Sequence, residues 1–133
     1  MPFAYRVQTG KSVSSARASV LAAITRHRFM ALWQHDMGAT LASKGYPGYG
    51  HLHVIEVCNA QRANEFLTLN PDGAYFLPCR ILVRESGDGS EIGVLRPERL
   101  FGLAGDGAAV GPMAELASDV EGELRAIIDD AAS

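Results

Sequence analysis

The sequence lacks the features that mark secreted, membrane-spanning and nucleic-acid-binding proteins. It has two cysteines, Cys58 and Cys79, which are too few for a disulfide scaffold. No apolar run approaches the roughly 20 residues that cross a bilayer. The start of the chain, Met1–Arg6, lacks the charged head and apolar middle of a signal peptide. We therefore expect a cytoplasmic protein with no membrane partner, whose cysteines are thiols.

The chain also lacks a strong excess of positive or negative charge. The chain carries 12 basic and 15 acidic residues, a net charge of −3, and has no basic block. Nothing therefore favours a nucleic-acid backbone as partner. The hydrophobic fraction of 47% and the charged fraction of 20% are typical of a globular protein. We expect one domain over residues 1–133, with a core of its own.

The spacing of apolar residues predicts the order of the elements. Alternation with period two predicts strands, and apolar residues at three- and four-residue steps predict helices. Ser12 or Ser14, Asp36 and Asn59 stand where helix N-caps are expected. The predicted strands are a first one around Phe3–Val7, then Phe29–Trp33, His51–Cys58, Ala74–Glu85 and Glu91–Leu95, and the longer helices are Val13–Arg26, Ala60–Leu69 and Pro112–Asp130.

Proline and glycine predict the connections. Pro78 falls inside the predicted fourth strand, which indicates an edge strand or a bulge, because proline cannot donate to the ladder. Gly87–Ser90 predicts the turn of a hairpin between the fourth and fifth strands. Residues 97–101 predict a short helical turn, and 102–111, with four glycines, predict a mobile loop.

The pieces resemble a known family. Val-Cys-Asn-Ala at 57–60 and Leu-Pro-Cys-Arg at 77–80, with the segment 36–41 before them, look like the domain of unknown function family 302. The resemblance covers nearly the whole chain. It implies an α+β fold like that of the TATA-binding protein, a strand–helix–four strands–helix order with the helices on one face of a single antiparallel sheet. It also implies a homodimer, and it implies no established activity.

The two cysteines carry the leading hypothesis for a site. If the third and fourth strands are antiparallel neighbours, as the resemblance implies, Cys58 and Cys79 lie at the same border of the sheet. Two thiols in reach can form a redox pair or bind a soft metal, and a helix starting at Asn59 favours thiolate at Cys58. The alternative is that both are small buried hydrophobic residues.

Further candidates surround this pair. His35 follows the second strand and is the candidate third ligand of a metal or haem site with Cys58 and Cys79. His51 and His53 alternate onto the strand face opposite Cys58. Glu56 is a candidate general base if it is buried, whereas an ion pair between Glu56 and Arg80 is the simpler interpretation.

Three functions follow as hypotheses. The first is a small dimeric binding module that holds a metal, haem or thiol-reactive ligand near the cysteines. The second is an enzyme of unassigned class that uses Glu56 or Cys58 in a cleft between sheet and helices. The third is a protein-interaction module without a ligand, which predicts an exposed apolar patch.

Overall fold

Five antiparallel strands form one sheet in the order β1–β5–β4–β3–β2. The computed structural model describes residues 2–103 and 111–133. The predicted α+β class and single antiparallel sheet are confirmed. No helix in the described part of the chain is long and apolar enough to span a membrane. The elements are β1 Ala4–Thr9, α1 Val13–Arg26, β2 Met30–Asp36, α2 Met37–Ser43, β3 Leu52–Cys58, α3 Ala60–Leu69, a 3-10 helix Pro71–Tyr75, β4 Cys79–Ser86, β5 Gly89–Leu95, α4 Pro97–Phe101 and α5 Gly111–Ala132.

The core lies between one face of the sheet and the long helices. Ile55 and Val57 of β3 alternate onto this face with Ile81 and Val83 of β4, and all four are fully buried. Helix α1 packs over these two strands with an apolar stripe that includes Val20, and helix α5, with Leu124, packs beside α1 over β1 and β5. Burying each such side chain contributes about 1.5–3 kcal/mol, so this layer supplies much of the stability of the fold. We call this side of the sheet the first face.

The second face carries the alternate residues of the same strands. Arg80, Leu82 and Arg84 alternate along β4, and Glu56 of β3 lies directly opposite Arg80. The pairing of β4 with β5 places Glu91 beside Arg84, and their side chains form an ion pair of 2.9 Å. This face therefore mixes both signs of charge with apolar side chains.

Side-chain caps begin three of the helices as the sequence predicts. The Ser12 hydroxyl accepts the backbone N–H of Ser15, and the Asn59 side chain accepts that of Arg62. The Asp36 carboxylate accepts the backbone N–H of Ala39 at 2.9 Å. Each cap satisfies an N–H that has no partner within its own helix.

The fourth strand differs from its prediction. It begins at Cys79 rather than at Ala74, because residues 71–75 form a 3-10 helix. Pro78 precedes the strand, in a cis peptide bond, and so removes no ladder hydrogen bond. Its strand is central in the sheet, so the expected edge position is wrong. Most of the predicted loop 102–111 lies outside the described residues.

A buried ion pair joins the end of β5 to helix α5. The Arg96 guanidinium donates to the Glu121 carboxylate at 3.0 Å, and both side chains are less than a tenth exposed. Arg125 donates to the same carboxylate from one turn further along α5. Removing one partner of a buried pair leaves the other charge without compensation.

We expect Glu121→Ala to lower the free energy of unfolding by about 3 kcal/mol, because Arg96 would stay buried with only the partly exposed Glu98 carboxylate, at 3.4 Å, and the Pro2 carbonyl as partners. Urea unfolding followed by circular dichroism measures the change. Glu115→Ala, at an exposed position of the same helix, is the matched control and should change little. Equal stability of the two variants would contradict the structural role of the pair.

Candidate functional site

The two cysteines occupy neighbouring positions across β3 and β4. Cys79 lies directly opposite Val57, one residue from Cys58, and both thiols are free and partly buried. They line a common cavity of about 10 Å³, with apolar neighbours that include Phe66 and Val120. A space of this size holds at most one water molecule. No ligand larger than water fits between the two thiols in this cavity.

Burial also disfavours thiolate at both positions. It raises the pKa of Cys58, and it raises the pKa of Cys79 to about 12, where the nearby Cys58 adds to the effect. A thiol with a raised pKa stays protonated at neutral pH and is a poor nucleophile and metal ligand. Asn59 begins helix α3 beside Cys58 as expected, but the pKa of the thiol still rises. These properties match small buried hydrophobic residues.

His35 does not join the cysteines. It lies on β2 opposite Val54, whereas Cys58 lies opposite Met30. Cys58 is four positions along the strand from Val54, which is about 13 Å at 3.3 Å per residue. The His35 ring instead stacks on Trp33, with 5.2 Å between the ring centroids. The predicted third ligand is therefore not where a cysteine-centred site needs it.

Glu56 and Arg80 are opposite each other, as expected, but on the second face of the sheet. Within the described residues no ion pair of 4.0 Å or shorter joins them. Glu56 alternates away from the space between the sheet and the long helices, so it does not line a cleft there. The predicted catalytic partnership of Glu56 with Cys58 in such a cleft finds no support in this arrangement.

In residues 2–103 and 111–133, no three histidine, cysteine, aspartate or glutamate side chains are grouped so as to hold a metal ion. The proposed site of His35, Cys58 and Cys79 does not form there. A haem fits still less well beside the cysteines, since their cavity is far smaller than the ring. The chemistry available at this border of the sheet is that of packed thiols.

A larger cleft opens at the opposite end of β3. It has a volume of about 640 Å³ and lies where the start of α1 faces the sheet and the β4–β5 turn. Polar and charged side chains from three elements converge on it, and convergent polar groups are what orient a ligand in a binding site. We call it the histidine cleft. Its polar side chains come from three parts of the chain. They are Ser12, which caps α1, with Ser14 and Arg17 of α1; His51, which precedes β3, with His53 of β3; and Glu85 and Asp88 of the β4–β5 hairpin.

Sheet register brings His51 and Glu85 together. The backbone N–H of Glu85 donates to the carbonyl of His51 at 3.2 Å, which extends the ladder one residue beyond β3. The His51 Nε2 lies 4.0 Å from a Glu85 carboxylate oxygen. Gly50, with φ of 58°, leaves room beside it, because a Cβ at this position would collide with the Glu85 carboxylate.

His53 is more enclosed than His51 and Glu85. Its side chain is 15% exposed, and its Nε2 lies 3.9 Å from the Asp36 carboxylate, too far for a hydrogen bond. Burial lowers the pKa of His53; Asp36 opposes this, and Arg17 and His51 lower it further. The imidazole is therefore neutral at pH 7 and has a nitrogen that can accept a hydrogen bond.

Comparisons with known proteins agree on one family. The model of the family described as "Domain of unknown function DUF302" matches residues 5–131. The chain belongs to the DUF302 family. It is similar to the crystal structure of an uncharacterized conserved DUF302 protein from Bacillus stearothermophilus, with 29% identity and a TM-score of 0.90 over 98% of this chain and 99% of the other. No curated protein matches the sequence.

In this DUF302 chain, sequence reasoning found some of the cleft and missed the rest. His51 and His53 stood out, and their common strand face was visible from alternation. Their register with Glu85 follows only from the pairing of β3 with β4, which alternation within a single strand does not contain. The sequence predicts the cap at Ser12 but not that Ser12 and Arg17 line this cleft, because their place beside β3 depends on how α1 packs across the sheet.

The raised pKa of Cys79 predicts that its thiol reacts slowly with alkylating reagents. We expect iodoacetamide at pH 7.5 to leave Cys79 unmodified in the folded protein, because the thiolate that reacts is scarce and partly shielded. Mass spectrometry of tryptic peptides measures the modification. Protein unfolded in guanidinium is the control, and both cysteines should react there. Rapid labelling of Cys79 in the folded protein would contradict its assignment as a packed side chain.

Proposed function

We propose that this DUF302 protein is a small homodimeric binding module whose ligand occupies the histidine cleft. One observation carries the proposal: a cleft of about 640 Å³ into which three separate elements direct polar side chains. The volume is that of sites for small organic molecules. The lowered pKa of His53 supports it, because perturbed ionisable groups in clefts concentrate at functional sites.

The cleft supports ligand binding better than the cysteine pair does. Around Cys58 and Cys79 the cavity is about 10 Å³ and apolar, whereas the cleft offers side chains from α1, β3 and the β4–β5 hairpin. Both thiols have raised pKa values, which disfavours metal binding and redox exchange. We therefore keep the hypothesis of a binding module and place its ligand in the histidine cleft rather than beside the cysteines.

A substitution that fills the cleft with a large side chain tests whether the cleft binds a ligand. We expect a library of small polar fragments to shift the amide NMR signals of His51, His53 and Glu85, and Ser14→Trp to abolish these shifts because the indole would occupy the space. Ser14 is an exposed residue of the first turn of α1, so the core is untouched.

Ser15→Trp is the matched control, since Ser15 is exposed in the same turn but does not line the cleft. It should leave fragment binding unchanged. Shifts that cluster around Cys58 and Cys79, or none at all, would refute the assignment of the cleft.

The second face supports the homodimer part of the proposal. Trp33 is 50% exposed on β2 at one edge, and Phe3 is 59% exposed beside β1 at the other. A groove of about 260 Å³ near β1, β5 and β4 includes Phe3 and Leu82. Because β4 is the central strand, a twofold axis parallel to it would place Trp33 of each copy over this groove of the other.

The charges on the second face favour contact with a second copy of this chain over contact with a partner that carries charge of a single sign. Arg6, Arg80 and Arg84 lie on this face with Glu56 and Glu91, so it offers both donors and acceptors to its own rotated image. Glu56 and Arg80, which form no ion pair of 4.0 Å within the described residues, can pair across the contact. Such mixed, self-complementary faces are what isologous contacts require.

We expect sedimentation velocity to give a dimer for the wild-type protein and a monomer for Trp33→Glu, because the new carboxylate would be buried against the partner groove. Tyr75→Glu is the control, since Tyr75 is 87% exposed on the 3-10 helix, away from the sheet. A monomeric wild-type protein, or a dimer that tolerates Trp33→Glu, would contradict this contact.

A further inference from the structure

The histidine cleft carries more negative than positive charge. The carboxylates of Glu85 and Asp88 line it with the single guanidinium of Arg17. Arg17 already donates to the side chain of Gln34 at 2.8 Å, which draws its charge toward β2. With a neutral His53 beside these charges, the cleft therefore attracts a cation and repels an anion.

Glu85 is the carboxylate best placed to meet a ligand. It is 53% exposed, and within the described residues no lysine or arginine forms an ion pair with it. The nearest charged candidate is His51, at 4.0 Å, and that contact is an ion pair only when the imidazole is protonated. The neighbouring Arg84 instead pairs with Glu91 on the second face.

Three hydrogen-bond acceptors share this part of the sheet. His51 and His53 are two residues apart and point to the same side, and the ladder places Glu85 directly opposite His51. Cβ atoms of directly opposite residues lie about 4.5–5.5 Å apart. A neutral imidazole offers one accepting nitrogen, and a carboxylate offers two oxygens. This set matches the three N–H donors of a primary ammonium group.

We propose that the cleft binds a small molecule that carries a primary amine, with the ammonium group held by Glu85, His51 and His53. This inference rests on the proposed function of the cleft and names its ligand class. Asp88, on the adjoining turn, adds a second carboxylate to the lining, so a ligand with two amines is favoured over one with a single amine.

Three probes of equal length test the charge preference: butane-1,4-diamine, butane-1,4-diol and succinate. We expect NMR titration at pH 7.5 to show binding of the diamine, binding at least about tenfold weaker for the diol, and none for succinate, because a charge-assisted hydrogen bond is stronger than a neutral one. Diol or succinate binding as tightly as the diamine would overturn the inference.

Glu85→Gln keeps the shape of the side chain and removes its charge. We expect it to weaken diamine binding by about tenfold or more. Glu115→Gln is the matched control, because Glu115 is an exposed carboxylate of α5 that does not line the cleft. Equal diamine affinity of the Glu85→Gln and wild-type proteins would overturn the inference.

The two proposals fail differently. If neutral fragments still bind in a manner that Ser14→Trp abolishes, but the diamine shows no preference, the cleft remains a binding site and only the amine assignment falls. If neither the fragments nor the diamine binds there, both fall.

Acidification adds an independent readout. Ligand binding should weaken as the pH falls from 6.5 to 5, since burial lowers the pKa of His53 below its ordinary value, and protonation in this range removes its accepting nitrogen and repels an ammonium group. Binding of the diamine that strengthens over this range would count against the assignment. The charged and titratable groups that surround the bound ammonium are Arg17, Asp36, His51, His53, Glu85 and Asp88.

Discussion

The antiparallel register of β3 with β4 is the constraint on which the rest of the structure depends. It pairs Ile55 with Ile81 and His53 with Val83, and the period of two then decides which side every neighbour faces. A slip of one residue would expose Ile55 and Val57 and turn Glu56 into the core. The same register that buries the aliphatic layer therefore also assembles the polar cleft at the far end of the two strands.

The two ends of this strand pair have different environments. At one end the chain enters helix α3, and Phe66 packs over the cysteines, so the space is closed and apolar. At the other end the first turns of α1 and the β4–β5 turn leave an opening beside His51 and Glu85. Chemistry that needs a ligand from outside is accordingly favoured at the second end.

The sequence predicts the fold better than the site because local patterns determine the strands and helices. Alternation in 51–58 and the caps at Ser12 and Asn59 depend on neighbouring residues, and the structure bears them out. The 3-10 helix at 71–75 was missed because Pro71 and Gly73 read equally well as a plain turn before a strand. Pro78 predicted an edge strand wrongly for a related reason: a proline disturbs the hydrogen bonds of a sheet only if it lies within the strand, and here it precedes β4.

The candidate site depended on packing that no local pattern contains. The two cysteines were correctly expected at one border of the sheet, but whether the space between them was open could not be read from spacing. His35 was expected beside them from the adjacency of β2 and β3, and the register of Met30 with Cys58 places it about 13 Å along the strand. Arg17 enters the cleft only because α1 crosses the sheet there.

The most direct test of the account is a crystal structure of the protein grown with butane-1,4-diamine. The account predicts density for the diamine in the histidine cleft, with one nitrogen within hydrogen-bonding distance of the Glu85 carboxylate and of an imidazole nitrogen of His51 or His53. A ligand bound beside Cys58 and Cys79, or a histidine cleft that holds only water at saturating diamine, would contradict it.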